Sequence, residues 1–138
     1  MLLLGIVSTN ASAESKKFHH VAIHVDENDP AKLNLALNNA VNITQAYSTR
    51  GEEVEIEIVT YGPGLHMLRA DTSPVKERIK SFGQSMPNVV FSACGNTMEG
   101  MRKAEGHDIV CVPDSLHAVQ KALEEAEARA RTLGITGV

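Results

Sequence analysis

The segment Phe91-Ser92-Ala93-Cys94-Gly95-Asn96-Thr97-Met98 holds the residue types from which a nucleophilic site is made. Cys94 follows an apolar run that reads as a buried strand, and Gly95 permits a sharp turn into a helix whose first free N–H groups point back at the sulfur. A thiolate there gains from the helix's positive end, a placement that lowers a cysteine pKa below its free value of ~8.5. Asn96 and Thr97 can cap that helix or donate to a sulfur-bound anion. The same position also suits an inert cysteine that packs as a small hydrophobe, so sequence alone leaves both readings open.

Around Cys94 stand groups that could assist it. His24 falls near the carboxyl end of the first strand-like run, where it is either a general base or a hydrogen-bonded structural histidine. Gly62, Gly64 and His66 lie in a loop, Tyr61-Gly62-Pro63-Gly64-Leu65-His66, that could offer N–H groups and a cation to an anion; a plain turn is the blander reading, because the spacing is not that of a phosphate loop. Cys111 reads as core, with a Cys94–Cys111 redox pair as the sharper alternative if strands three and four are neighbours. His19, His20 and His24 lack the spacing of a zinc site, so no metal and no cofactor is expected. His107 and His117 carry no signal, and an Arg69–Asp71 pair would be one more surface ion pair of little worth.

These residues need elements to position them. From Phe18 onward the apolar pattern switches between strand-like and helical periods, the mark of βαβ units with a parallel sheet. Strands are expected at His20 to Val25, Val54 to Tyr61, Asn88 to Ala93 and Ile109 to Val112. Asp29-Pro30 supplies a cap and an N1 proline for a first helix ending at Arg50-Gly51, and Ser73-Pro74 does the same for a second. A short helical turn falls around Leu65 to Ala70, and a helix at Asn96 to Glu105 is stopped by Gly106. A last helix, capped by Asp114 or Ser115, repeats Leu116, Val119, Leu123, Ala126, Ala130 and Leu133 as a seam, with the mixed charges of Glu124 to Arg131 as its solvated face. The expected fold is an α/β three-layer sandwich with a mainly parallel sheet of four to five strands flanked by helices. Reactive groups then collect at the carboxyl ends of the strands, in the loops Asp26 to Asp29, Tyr61 to His66 and Cys94 to Met98.

At 138 residues, 43% apolar and 22% charged, the chain fits one globular domain. A formal charge of -4, no Trp, two Tyr and three Phe leave neither a basic field nor a stacking platform, which argues against nucleic acid as a partner. The apolar stretch Met1 to Val7 leads through Ser8 to Ala11-Ser12-Ala13, a cleavage-like pattern before Glu14. It reads as a truncated secretion signal over residues 1–13, ahead of a domain over residues 14–138. The expected location is the periplasm, with the cytoplasm as the alternative. No other apolar run reaches the ~18 residues needed to span a bilayer, so the mature form is expected to have no membrane span.

Taken together, the element order, the Tyr-Gly-Pro-Gly loop and Cys94-Gly95-Asn96-Thr97-Met98 resemble the DsrE/DsrF-like family, in its Cys-Gly-Asn-Thr branch. The resemblance spans roughly His19 to Pro113. It implies a small α/β fold that assembles as a homo-oligomer, a trimer or hexamer, and a sulfur relay in which Cys94 carries a persulfide between a sulfane sulfur donor and an acceptor thiol or protein. By the motif, Cys94 is the catalytic thiolate, with Gly95, Asn96, Thr97, Gly62, Gly64, His66 and His24 as its binding surroundings. Two other classes fit the residues: a non-catalytic anion or small-ligand binding or oligomeric interaction module, and a thiol redox protein using Cys94 with Cys111.

Overall fold

The computed structural model describes residues 16–112. The leader-like residues 1–13 and the last helix with its Leu116 to Leu133 seam lie outside the described residues, as does His117.

Three strands, β1 (Phe18–Val25), β2 (Glu53–Thr60) and β3 (Val89–Ala93), form a wholly parallel sheet in the order β1-β2-β3. Between them run α1 (Pro30–Thr49), a 3-10 helix (Gly62–Met67) and α2 (Lys76–Ser85), and α3 (Gly95–Glu105) follows β3. The register sets Val21 beside Ile56 and Val89, Ile23 beside Ile58 and Phe91, and Val25 beside Thr60 and Ala93. Because side chains alternate along a strand, these residues share one face. Leu33, Leu37 and Ala40 of α1 and Ile79 and Phe82 of α2 are buried in one cluster with them.

Strands laid down in sequence order with right-handed crossovers carry their connecting helices on the same side of the sheet. Contacts between the two helices agree. Arg78 of α2 donates to Asn34 Oδ1 and, at 2.8 Å, to Asn38 Oδ1 of α1, and the Phe82 ring meets Phe91 of β3 edge-on at 6.2 Å. The opposite face carries exposed Phe18, His20, Ala22 and His24 from β1 and Glu53, Glu55 and Glu57 from β2.

Local chemistry explains the element ends. Asp29 caps α1 by accepting from the Ala31 N–H at 2.8 Å, with Pro30 in the first turn, and Gly51 leaves the helix at φ 69°. Gly106 closes α3 at φ 74°. Ser73 does accept from the Val75 N–H, at 3.3 Å, but it also donates to the Met67 carbonyl, and α2 begins only at Lys76.

Two expectations are corrected. The sheet has three strands among the described residues, where four to five were expected, and both crossover helices sit on one of its faces. Residues 109–112 are not its fourth strand. They run antiparallel to the segment after the 3-10 helix, with one bridge from Cys111 to Arg69, Ala70 N–H donating to Val110 O and Val112 N–H to Leu68 O, each at 2.8 Å. The apolar run misleads because Val110 is 61% exposed while Cys111 and Val112 are buried.

Candidate functional site

At the carboxyl edge of the sheet the ladder continues past its last paired residues. Tyr61 N–H donates to Val25 O at 3.1 Å and Cys94 N–H to Thr60 O at 2.9 Å. One further step of register therefore brings Asp26, Tyr61 and Cys94 into line, and all three loops expected to carry chemistry meet at this edge.

The Gly-Pro-Gly turn is fitted closely into that edge. A Cβ on Gly64 would lie 2.1 Å from the Val25 carbonyl oxygen and 2.8 Å from the Asp26 nitrogen, so only glycine lets the backbones approach. Gly62 adopts φ 51° and turns its N–H toward α3, where Thr97 Oγ1 accepts it at 3.0 Å. The turn is thus a docking point for the helix that follows β3.

Cys94 is the N-cap residue of α3, with extended φ -66° and ψ 116°, and it is half-buried. Its carbonyl accepts from the Met98 N–H at 3.0 Å, closing the first turn. The thiol itself closes no capping hydrogen bond. The Thr97 hydroxyl, and then the Thr97 and Asn96 N–H groups, nevertheless lower its pKa against the opposing effect of burial. These donors favour the ionised sulfur, as a helix N-terminus should.

Of the other expected residues, Gly95 and Asn96 lie exposed in the first turn of α3 beside Cys94. His24 and His66 make contacts of their own. The His24 ring stands on the exposed face of the sheet and meets the Tyr61 ring edge-on at 6.0 Å. His66 Nδ1 pairs with Thr72 Oγ1 at 2.7 Å. Cys111 is buried, its thiol pushed up by burial, with the Arg69 charge acting the other way. Both cysteines are free, and the premise of neighbouring strands for a Cys94–Cys111 pair does not hold.

The Arg69–Asp71 pair, expected as a surface ion pair of little worth, is part of a cluster around a buried guanidinium that takes in Glu105 at the end of α3. Arg69 is 2% exposed and forks onto two carboxylates: Asp71 through Nε (2.9 Å) and Nη2 (2.6 Å), and Glu105 of α3 through Nη1 (2.6 Å) and Nη2 (2.7 Å). The hydrogen bonds to Glu105 and Asp71 raise the guanidinium pKa, and Arg69 in turn holds both carboxyls below the usual range. This is no loose surface pair. The signal was available in Leu65 to Ala70, where one arginine interrupts an apolar run and must find partners if it is buried.

Helix α3 itself buries no residue. Half-buried Met98 touches the core, and among the described residues the helix is otherwise tied to the segment after β2 by Thr97 to Gly62, by Met101 Sδ to Arg69 at 3.8 Å and by Glu105 to Arg69. A surface depression of about 380 Å³ runs from Gly95 along Met98 and Arg102 to Ile109. The charges on that side are already matched, since Arg102 and Lys103 hold the Glu99 carboxyl down at about 2.

No protein-family model matches the chain, and no curated protein matches it. Among solved structures it is similar to a protein of unknown function, MTH1491, from Methanobacterium thermoautotrophicum. The TM-score is 0.55 and the identity 24%, over 88% of this chain and 98% of that one. At that identity the likeness speaks for the fold alone, and it agrees with an α/β domain built on a parallel sheet flanked by helices.

Proposed function

We propose that the protein is a sulfur-relay protein, a sulfurtransferase or persulfide carrier of DsrE/DsrF-like type, in which Cys94 is the nucleophile. The observation that carries this reading is the placement of a half-buried thiol at the start of α3, with the Thr97 hydroxyl and the first-turn N–H groups lowering its pKa. The Cys94 to Met98 and Gly62 to Gly64 motifs support the same reading.

The chemistry balances without an oxidant or a cofactor. The Cys94 thiolate attacks the outer sulfur of a persulfide or of thiosulfate, forming one S–S bond as the donor's S–S bond breaks. The leaving thiolate or sulfite takes the electron pair. An acceptor thiolate then attacks the outer sulfur of the Cys94 persulfide, and Cys94 leaves as a thiolate. The donors around Cys94 help both steps, because they hold the anion before attack and stabilise it as a leaving group.

The test is peptide-resolved mass spectrometry after exposure to glutathione persulfide or thiosulfate. A gain of about 32 Da on the Cys94 peptide, discharged by a thiol acceptor, is expected. A Cys94 peptide that stays unmodified while the free donor is consumed would remove the proposal.

A further inference from the structure

We infer that Arg69 is a positioning residue for Cys94: through Glu105 it fixes the far end of α3, and so keeps Thr97 seated between the Gly62 amide and the thiol. The inference rests on the reading of Cys94 as the working nucleophile.

A helix on a domain surface is ordinarily fixed by an apolar stripe, and α3 buries none of its residues. Half-buried Met98 gives it one apolar foothold, near the start. Among the described residues its orientation therefore depends largely on polar ties, one at each end, with a longer contact between them from Arg69 Nη1 to Met101 Sδ at 3.8 Å. At the start, Gly62 N–H donates to Thr97 Oγ1 at 3.0 Å. At the last residue, Glu105 receives both Nη groups of Arg69 at 2.6 and 2.7 Å.

The two ties differ in strength. The first is a single neutral hydrogen bond. The second is a two-pronged charged pair made by a side chain only 3% exposed, which the Asp71 carboxylate also grips. Charge-assisted forks of this kind fix direction as well as distance. Arg69 is also bound into the backbone, through the bridge to Cys111 that closes the chain after α3. Loss of the fork would leave α3 hinged at its start. Thr97 is the residue there whose hydroxyl accepts from the Gly62 amide, and a small tilt would separate the two. Once that acceptor lone pair is free, nothing directs the hydroxyl hydrogen at the sulfur.

The experiment measures the pH dependence of Cys94 alkylation by iodoacetamide, peptide by peptide, in Arg69→Met, Glu105→Gln, Thr97→Val and the Arg69→Met/Thr97→Val double variant. Arg69→Met conserves most of the buried volume, and the freed Asp71 and Glu105 carboxylates have water available. The midpoint should rise toward ~8.5 in Arg69→Met, slowing alkylation near neutral pH roughly tenfold for each unit of rise. Glu105→Gln should show a smaller rise. The double variant should show no more than Thr97→Val alone.

Circular dichroism melting checks that each variant is folded, and if Arg69→Met is not, Glu105→Gln decides, because it leaves the Arg69–Asp71 pair intact. An unchanged midpoint in a folded variant overturns the inference, and so do shifts that add in the double variant. Alkylation needs no sulfur donor, so failure of the sulfur-relay reading and failure of the positioning role are seen in separate experiments.

Discussion

The one hydroxyl of Thr97 accepts from Gly62 and lowers the Cys94 pKa, and neither role shows in its residue type. Thr97→Val is expected to move the Cys94 pKa up toward the ordinary thiol range, while Thr97→Ser leaves it close to wild type; absorbance of the thiolate near 240 nm over a pH titration checks both. Gly64, by contrast, tolerates no side chain. Gly64→Ala drives a methyl group against the Val25 carbonyl and should cost about 2 to 3 kcal/mol or more, read from the midpoint of urea unfolding. The place of Cys94 between a strand and a helix was legible in the sequence because strand, cysteine, glycine and helix follow one another in eight residues. Its link to Gly62 was not, because the partners lie 35 positions apart and only the sheet register brings them together. The ring of His24 against Tyr61 and the pairing of His66 with Thr72 were likewise not legible, because spacing along the chain does not choose a side chain's neighbour.

Elements whose ends are written in local chemistry were read correctly. The first helix follows from Asp29, Pro30 and Gly51, and removing its cap with Asp29→Ala should cost about 1 kcal/mol, seen as a lower thermal midpoint with Cys94 reactivity retained. Where an end depends on a distant group, the reading shifted or failed. Ser73 has the form of a cap, but its hydroxyl also reaches the Met67 carbonyl, and α2 starts at Lys76. Ile109 to Val112 has the composition of a strand, but Ala70 and Leu68 are its hydrogen-bond partners, and these lie outside the sheet. An apolar run of four says that something will cover it, not what.

For the molecule as a whole, the Arg69 cluster predicts a limit at low pH. Asp71 and Glu105 have folded pKa values depressed below their unfolded values near ~4, so their stabilising effect is complete above that range and is lost as the pH falls through the folded values. Urea midpoints should therefore drop as the pH is lowered below about 4, and the drop should be shallower in Arg69→Met. Cys111 acts at the other end. Its folded pKa is raised, so burial of the neutral thiol stabilises below ~8.5, and that contribution declines as the pH rises toward the folded value. Sheet order was the property least accessible from sequence. Adjacent strands joined in the same sense put both crossover helices on one face, and no single segment records that choice.

The lack of buried residues in α3 has an energetic consequence of its own. Ile56 and Ile58 of β2 are fully enclosed and open only when the domain unfolds, whereas among the described residues α3 is held by a few hydrogen bonds, the Arg69 contacts to Met101 and Glu105, and the Met98 contact. Amide hydrogens of α3 should exchange well before those of β2. The free energy that maintains a reactive thiol is then smaller than the free energy that maintains the fold, so heat or urea should silence Cys94 in molecules that are otherwise still native.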